Sequence, residues 1–169
     1  MIAAEFAHPV DRRHLPAEPV SLAPSAEQCA ALARRFGIVA IDRLEAELRL
    51  EDDGEAVNAE GRLRAAVVQS CAVSGEDLPV TIDEPLTLRF VPEVAVTETE
   101  IELEERELDE IPFAGHVFDL GEAVAQSLAL AIDPYAVGPG AEQARKDGGL
   151  LDEAAAGPFA ALAALKKSS

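Results

Sequence analysis

The chain has 169 residues, 49% of them apolar, with 14 Lys and Arg against 32 Asp and Glu and a formal net charge of −18. That length suits one domain plus tails, and with six Phe, one Tyr and no Trp its core has to be built from Ala, Val, Leu and Ile. No stretch approaches the ~18 apolar residues of a membrane span, Met1–Val10 does not read as a signal peptide, and the lone Cys29 and Cys71 read as reduced thiols of a cytoplasmic protein rather than a disulfide framework.

Phe6–Leu15 reads as an edge strand, because Pro9 lacks an N–H and leaves one side unable to pair fully. A Pro-rich link follows. Ser25-Ala-Glu-Gln28 has the form of a capping box, and Cys29, Leu32, Ala33 and Phe36 then share a helical face up to Gly37, which suits a helix C-terminus. A helix is therefore expected over Ser25–Phe36. Leu44, Ala46, Leu48 and Leu50 alternate with charged residues, Asp52-Asp53-Gly54 is a turn, and Leu63, Ala65 and Val67 alternate again. This predicts an antiparallel hairpin, with a bulge suggested near Asn58 and Gly61. After a turn at Ser74–Asp77, Val80–Asp83 and Leu86–Val91 read as two further strands.

Glu93–Glu110 then holds nine acids and one base, Arg106, a net charge of −8 in eighteen residues. Ile101 and Leu103 alternate with Glu and suit a short strand, but most of the segment reads as a loop, since self-repelling charge with little apolar content does not offset the entropy of ordering. Asp119-Leu-Gly-Glu122 is a second cap, opening a helix over Leu120–Ile132 that Pro134 ends. From Asp133 to Gly157 the Gly, Pro and Ala content suggests a tail without a fixed fold, and Pro158–Lys167 suits either a short amphipathic docking helix or a frayed end. The expected architecture is α+β: one domain over 1–132, a curved antiparallel sheet of about five strands covered by two helices, with an acidic loop at 93–110 and a flexible C-terminal tail over 133–169.

The chemistry is sparse. His8, His14 and His116 have no metal-ligand spacing, and the chain holds no nucleophile-elbow, P-loop or dinucleotide motif. The clustered acids fit a solvated face better than an acid/base pair. Cys71 ends a strand before a turn, but the residue completing a C-x-x-C would be Ser74, so both cysteines read as buried structural thiols. Arg12-Arg13 and Arg34-Arg35 form either one basic patch able to touch RNA phosphate or an ordinary mixed-charge surface.

The run Ala66–Glu84, the strand over Leu86–Pro92, the acidic stretch, the Asp119–Leu130 helix and the Pro after it occur in an order that resembles the YceD family of bacterial large-ribosomal-subunit RNA accumulation proteins. The ending Pro158–Lys166 resembles the tail of its alphaproteobacterial branch. Many family members carry C-x-x-C where this chain has Cys71 and Ser74, and the resemblance carries no metal ligands over to this chain. It implies a cytoplasmic ribosome-biogenesis factor needed for normal levels of large-subunit ribosomal RNA or its precursor, without a catalytic role, a cofactor, a membrane partner or a small-molecule substrate. Two binding modes are then expected. In one, Glu98, Glu100, Glu102, Glu104, Glu105 and Glu107 bind a basic ribosomal protein; in the other, Arg12, Arg13, Arg34 and Arg35 contact RNA directly. A hydrolase or nuclease using the clustered acids with a divalent metal is a third reading.

Overall fold

A computed structural model of the chain describes residues 4–93 and 110–149. In order, these form β1 (Pro9–Asp11), a 3₁₀ turn (Arg12–His14), β2 (Val20–Leu22), α1 (Ala26–Phe36), β3 (Ala40–Asp53), β4 (Ala56–Ser70), β5 (Asp77–Pro92), β6 (Glu110–Phe113), β7 (Val117–Asp119), α2 (Leu120–Ala131) and α3 (Ala141–Asp147). Two compact units emerge: Met1–Val68 with Pro79–Ile132, and Gln69–Leu78 with Asp133–Ser169.

The first unit is built on a sheet of order β2-β3-β4-β5-β6, with β1 and β7 paired as a separate antiparallel ribbon. The β3–β4 hairpin follows the alternation of its sequence. Leu44, Ala46, Leu48 and Leu50 are buried, as are Leu63, Ala65 and Val67 on the partner strand, and the register sets Leu44 opposite Ala65 and Ala46 opposite Leu63. Gly54 takes φ 68° at the turn, a conformation that costs a residue with a Cβ. The helix α1 has the expected capping box, with Gln28 N–H donating to the Ser25 hydroxyl and Ser25 N–H to the Gln28 side chain. Gly37 closes it at φ 67°. Leu32 and Leu128, from the inner faces of α1 and α2, are fully buried in the same core as Leu48 and Phe90. Three of the six phenylalanines meet there: Phe118 of β7 stacks on Phe90 of β5 at 4.2 Å and tilts against Phe113 of β6 at 5.8 Å.

Several expectations change. The sheet is mixed, because β6 runs parallel to β5. A parallel pair needs a crossover of about a dozen residues or more, and here the acidic segment supplies that connection. The expected strand over Phe6–Leu15 shrinks to β1, which pairs with β7 outside the main sheet; Arg12–His14 turn away as 3₁₀ helix after the Asp11 carboxylate caps Arg13 N–H. The two strands expected around Pro85 are one continuous β5. The bulge lies between Ile41 and Arg43, whereas Asn58 and Gly61 stay in register opposite Glu51 and Leu48. Gly61 has a different reason to be glycine: a Cβ there would overlap the Glu47 carbonyl. The Ile101–Leu103 strand and the Pro158–Lys167 helix lie outside the described residues.

In the second unit, Asp133–Gly149 carries α3 where composition suggested no regular element. Around it the backbone is tied by hydrogen bonds from Cys71 N–H to Glu76 O (2.8 Å), Gly75 N–H to Cys71 O (3.0 Å) and Ala72 N–H to Ala136 O (3.0 Å). No helix among the described residues is long and apolar enough to cross a membrane.

Candidate functional site

The six candidate glutamates, Glu98, Glu100, Glu102, Glu104, Glu105 and Glu107, lie outside the described residues, but both ends of their segment are fixed on one edge of the sheet. Glu93 N–H donates to Phe113 O (2.9 Å) as the chain leaves β5. At the other end, Glu110 opens β6 and its carboxylate takes a hydrogen bond from Arg89 Nε (3.2 Å). Arg89 also donates to Asp53 (2.7 Å) and Asn58 (2.8 Å), which ties the start of β6 to the tip of the β3–β4 hairpin. The hydrogen bond from Arg89 holds the Asp53 carboxyl below the usual carboxylate range. The connection that carries the acids is therefore anchored at the β5–β6 edge.

The arginine pairs are held by separate partners. Arg12 donates to the carbonyls of Gly54 and Glu55, both at 2.6 Å, and clasps the β3–β4 turn. Arg13 turns back onto Asp11 at 2.6 Å, and that hydrogen bond pushes the Asp11 carboxyl far below its ordinary range. Arg35 binds Glu122 at 2.6 Å and Glu5 at 3.1 Å. Three of the four thus already satisfy carbonyls or carboxylates. Arg34 is exposed and makes no ion pair among the described residues.

The motif Asp119-Leu-Gly-Glu122 has a job at each position. Asp119 Oδ1 accepts from Glu122 N–H (3.0 Å) and also from His8 N–H (2.8 Å). Leu120 is fully buried. Gly121 lets the backbone of Phe6–His8 lie against the helix, since a Cβ there would come within 2.6 Å of Phe6 O and 2.8 Å of His8 N. Glu122, which a capping box would fold back on the N-terminus, instead receives Arg35.

Cys71 is buried and its sulfur accepts two backbone hydrogen bonds, from Gly138 N–H (3.3 Å) and Ser74 N–H (3.4 Å). Hydrogen bonding from Gly138 first, then from the side chain and backbone of Ser74, brings the thiol down to about 6 from its ordinary value. Ser74, at the C-x-x-C position, directs its hydroxyl to Glu76. Nearby in the chain, Gln69 is buried and donates to Asp133 O (2.8 Å). Cys29 differs: burial alone pushes its thiol up. Sequence reasoning missed the donors to Cys71, which lie 67 residues away in the case of Gly138. It also missed Arg62 and Arg64, both turned to Asp83 on the outer sheet face. Their alternation in β4 was the signal for that placement. Beside them, with Glu45 and Glu47, a cavity of about 340 Å³ opens over Gly61.

A mixed five-stranded sheet backed by two capped helices, with an acid-rich crossover at its edge, defines an acidic α+β protein. Residues 59–166 match the family described as Large ribosomal RNA subunit accumulation protein YceD, and the chain belongs to that family. The matched span contains Cys71, the acidic crossover and the Asp119–Glu122 motif, whereas Arg12, Arg13, Arg34 and Arg35 precede it. No curated protein and no solved structure matches the chain significantly. The family's description ties the chain to accumulation of large-subunit ribosomal RNA.

Proposed function

We propose that the chain is a non-enzymatic assembly factor that supports accumulation of large-subunit ribosomal RNA by binding a basic ribosomal protein through its acidic crossover. The observation that carries this reading is the charge of Glu93–Glu110, nine acids against one base, on a connection anchored at both ends on the β5–β6 edge. An acidic stretch of that density steers and holds a basic partner and repels free phosphate. Shielding the partner's Lys and Arg until RNA displaces the acids is then a mass-action consequence. The internal engagement of Arg12, Arg13 and Arg35 favours this mode over direct RNA contact. The reading puts the protein in the cytoplasm, and two free cysteines fit a reducing compartment.

The test is reversal of Glu98, Glu100, Glu102 and Glu104 to Lys. Binding to basic ribosomal proteins, measured by pull-down after nuclease treatment, is expected to be lost. Unchanged affinity at low salt overturns the proposal.

A further inference from the structure

A groove runs between the edge strand β6 and the outer side of α2. One cavity of about 590 Å³ is floored by Leu86, Leu88 and Ile111 and bordered by Leu130. A second, of about 370 Å³, continues it along Pro112, Ala123 and Gln126, which the two share. Leu130 is 88% exposed, unusual for a large apolar side chain on a helix whose other face is core. A concave surface with an apolar floor and an exposed apolar side chain on its border has the form that takes an amphipathic helix.

Charge says what fits. Glu84 and Glu110 border the first cavity, Asp119 and Glu122 the second, and among the described residues no Lys or Arg lines either. Glu110 and Glu122 pair with Arg89 and Arg35, which line neither cavity, and Glu84 has no ion pair among the described residues. An occupant therefore meets apolar floor and acidic rim. The strand edge narrows its form further. Phe113 turns its carbonyl to Glu93, so by alternation Glu110 and Pro112 turn to the other edge, which no strand among the described residues pairs, and Pro112 has no N–H to give there. With Glu110 alone left to donate from this edge, an added ladder is short and side chains hold the occupant, which is how a helix lies in a groove.

We infer that this groove docks an amphipathic helix of a protein partner, with an apolar face on Leu86, Leu88, Ile111 and Leu130 and Lys or Arg flanking it toward Glu84 and Glu110. It shares with the acidic-crossover reading the basic character of the partner and Glu110, the last acid of that segment, while the apolar floor lies outside it.

The probe is a synthetic helix of about 16 residues, long enough to be helical when bound, with Leu at helical spacing and Lys elsewhere. A second peptide replaces every Lys by Glu. Binding to the full chain is followed by fluorescence anisotropy. The Lys peptide is expected to bind, the Glu peptide not, and the Leu130→Ser, Glu84→Lys double variant to lose about tenfold or more in affinity, as removal of an interface anchor does. Both positions are exposed, so the variant's melting temperature is expected to match that of the parent chain. The four-glutamate reversal separates the two readings: it should abolish binding of ribosomal proteins yet leave a groove-dependent part of peptide binding that Leu130→Ser removes. Equal affinity of the Lys peptide for the parent chain and the groove variant overturns the inference, as does equal binding of the Glu peptide. A parent chain that sediments as a dimer and becomes a monomer on Leu130→Ser also overturns it, since the groove is then a self-interface.

Discussion

The guanidinium of Arg35 reaches the carboxylate of Glu122 through two hydrogen bonds, of 3.0 and 2.6 Å, and ties the last turn of α1 to the first turn of α2. Both side chains are about two-thirds buried or more, so solvent screens the pair only in part. The hydrogen bond from Arg35 is the chief reason the Glu122 carboxyl lies below its ordinary range. Glu122→Gln should therefore cost about 1 kcal/mol at neutral pH, the upper end for a partly exposed pair and fitting a two-bonded one. Because the folded value is depressed, this stabilisation is complete above the unfolded carboxyl value of about 4.3 and is lost as pH falls through the folded one. Urea midpoints of the parent chain and the variant should differ by a constant amount from neutral pH to about 5 and converge in stronger acid. An equal gap in strong acid would mean the loss is one of packing rather than charge.

Gly121 sets the same first turn of α2 against the N-terminal segment Phe6–His8. Replacing glycine by alanine inside a helix ordinarily adds about 1 kcal/mol of stability. Here the added methyl meets Phe6 O and His8 N, which are backbone atoms and cannot swing aside. Gly121→Ala should instead destabilise by about 1–3 kcal/mol, the range for overpacking. The N-terminal segment should be the first to detach, seen as faster amide exchange at Val10, whose strand pairs with β7.

Local signals were legible in the sequence and distant ones were not. Ser25, Gln28 and Gly37 act within one helix, so their spacing alone predicted the capped α1. Alternation from Leu44 to Val67 likewise gave the hairpin. Gly61 was misread as a bulge because its constraint is a carbonyl on the neighbouring strand, which no pattern along β4 reveals. Arg12 read as one of four arginines in either a basic patch or a mixed-charge surface, yet its partners Gly54 and Glu55 are 42 and 43 residues away. Pairing direction was hidden too: the acid content of 93–110 is plain, but only the register of Arg89 opposite Glu110 shows that this segment crosses over to a parallel strand.

Cys71 predicts a pH dependence of opposite range to that of Glu122. Hydrogen bonds from the Gly138 backbone and from the side chain and backbone of Ser74 bring its thiol to about 6, against an unfolded value of about 8.5. The thiolate's contribution to stability is thus full above the unfolded value and disappears as pH falls through about 6. Cys71→Ala should be nearly as stable as the parent chain in mild acid and progressively less stable, relative to it, as pH rises through neutral. Thermal unfolding of both across that range checks the sign. Thiolate absorbance in the ultraviolet, followed in Cys29→Ala so that Cys71 alone reports, gives the titration directly.

The arginines separate the two binding modes. If RNA were held by Arg12, Arg13, Arg34 and Arg35, each Ala substitution would weaken RNA binding and flatten its salt dependence by a similar amount, because phosphate contacts contribute through counterion release. The internal partners predict otherwise. Arg12→Ala removes two charge-assisted hydrogen bonds on the Gly54–Glu55 carbonyls and should cost about 1–3 kcal/mol of stability, loosening the β3–β4 turn. Arg35→Ala should do the same for the α1–α2 junction. Arg34→Ala, exposed and without an ion pair among the described residues, should leave stability within about 0.5 kcal/mol of the parent chain. Chemical denaturation of the three variants, set beside their RNA affinity at two salt concentrations, gives a pattern for each mode. A stability loss confined to Arg12 and Arg35, with RNA affinity equally low throughout, supports the acidic crossover as the binding surface. A uniform loss of RNA affinity with stability intact would move the site to the arginines.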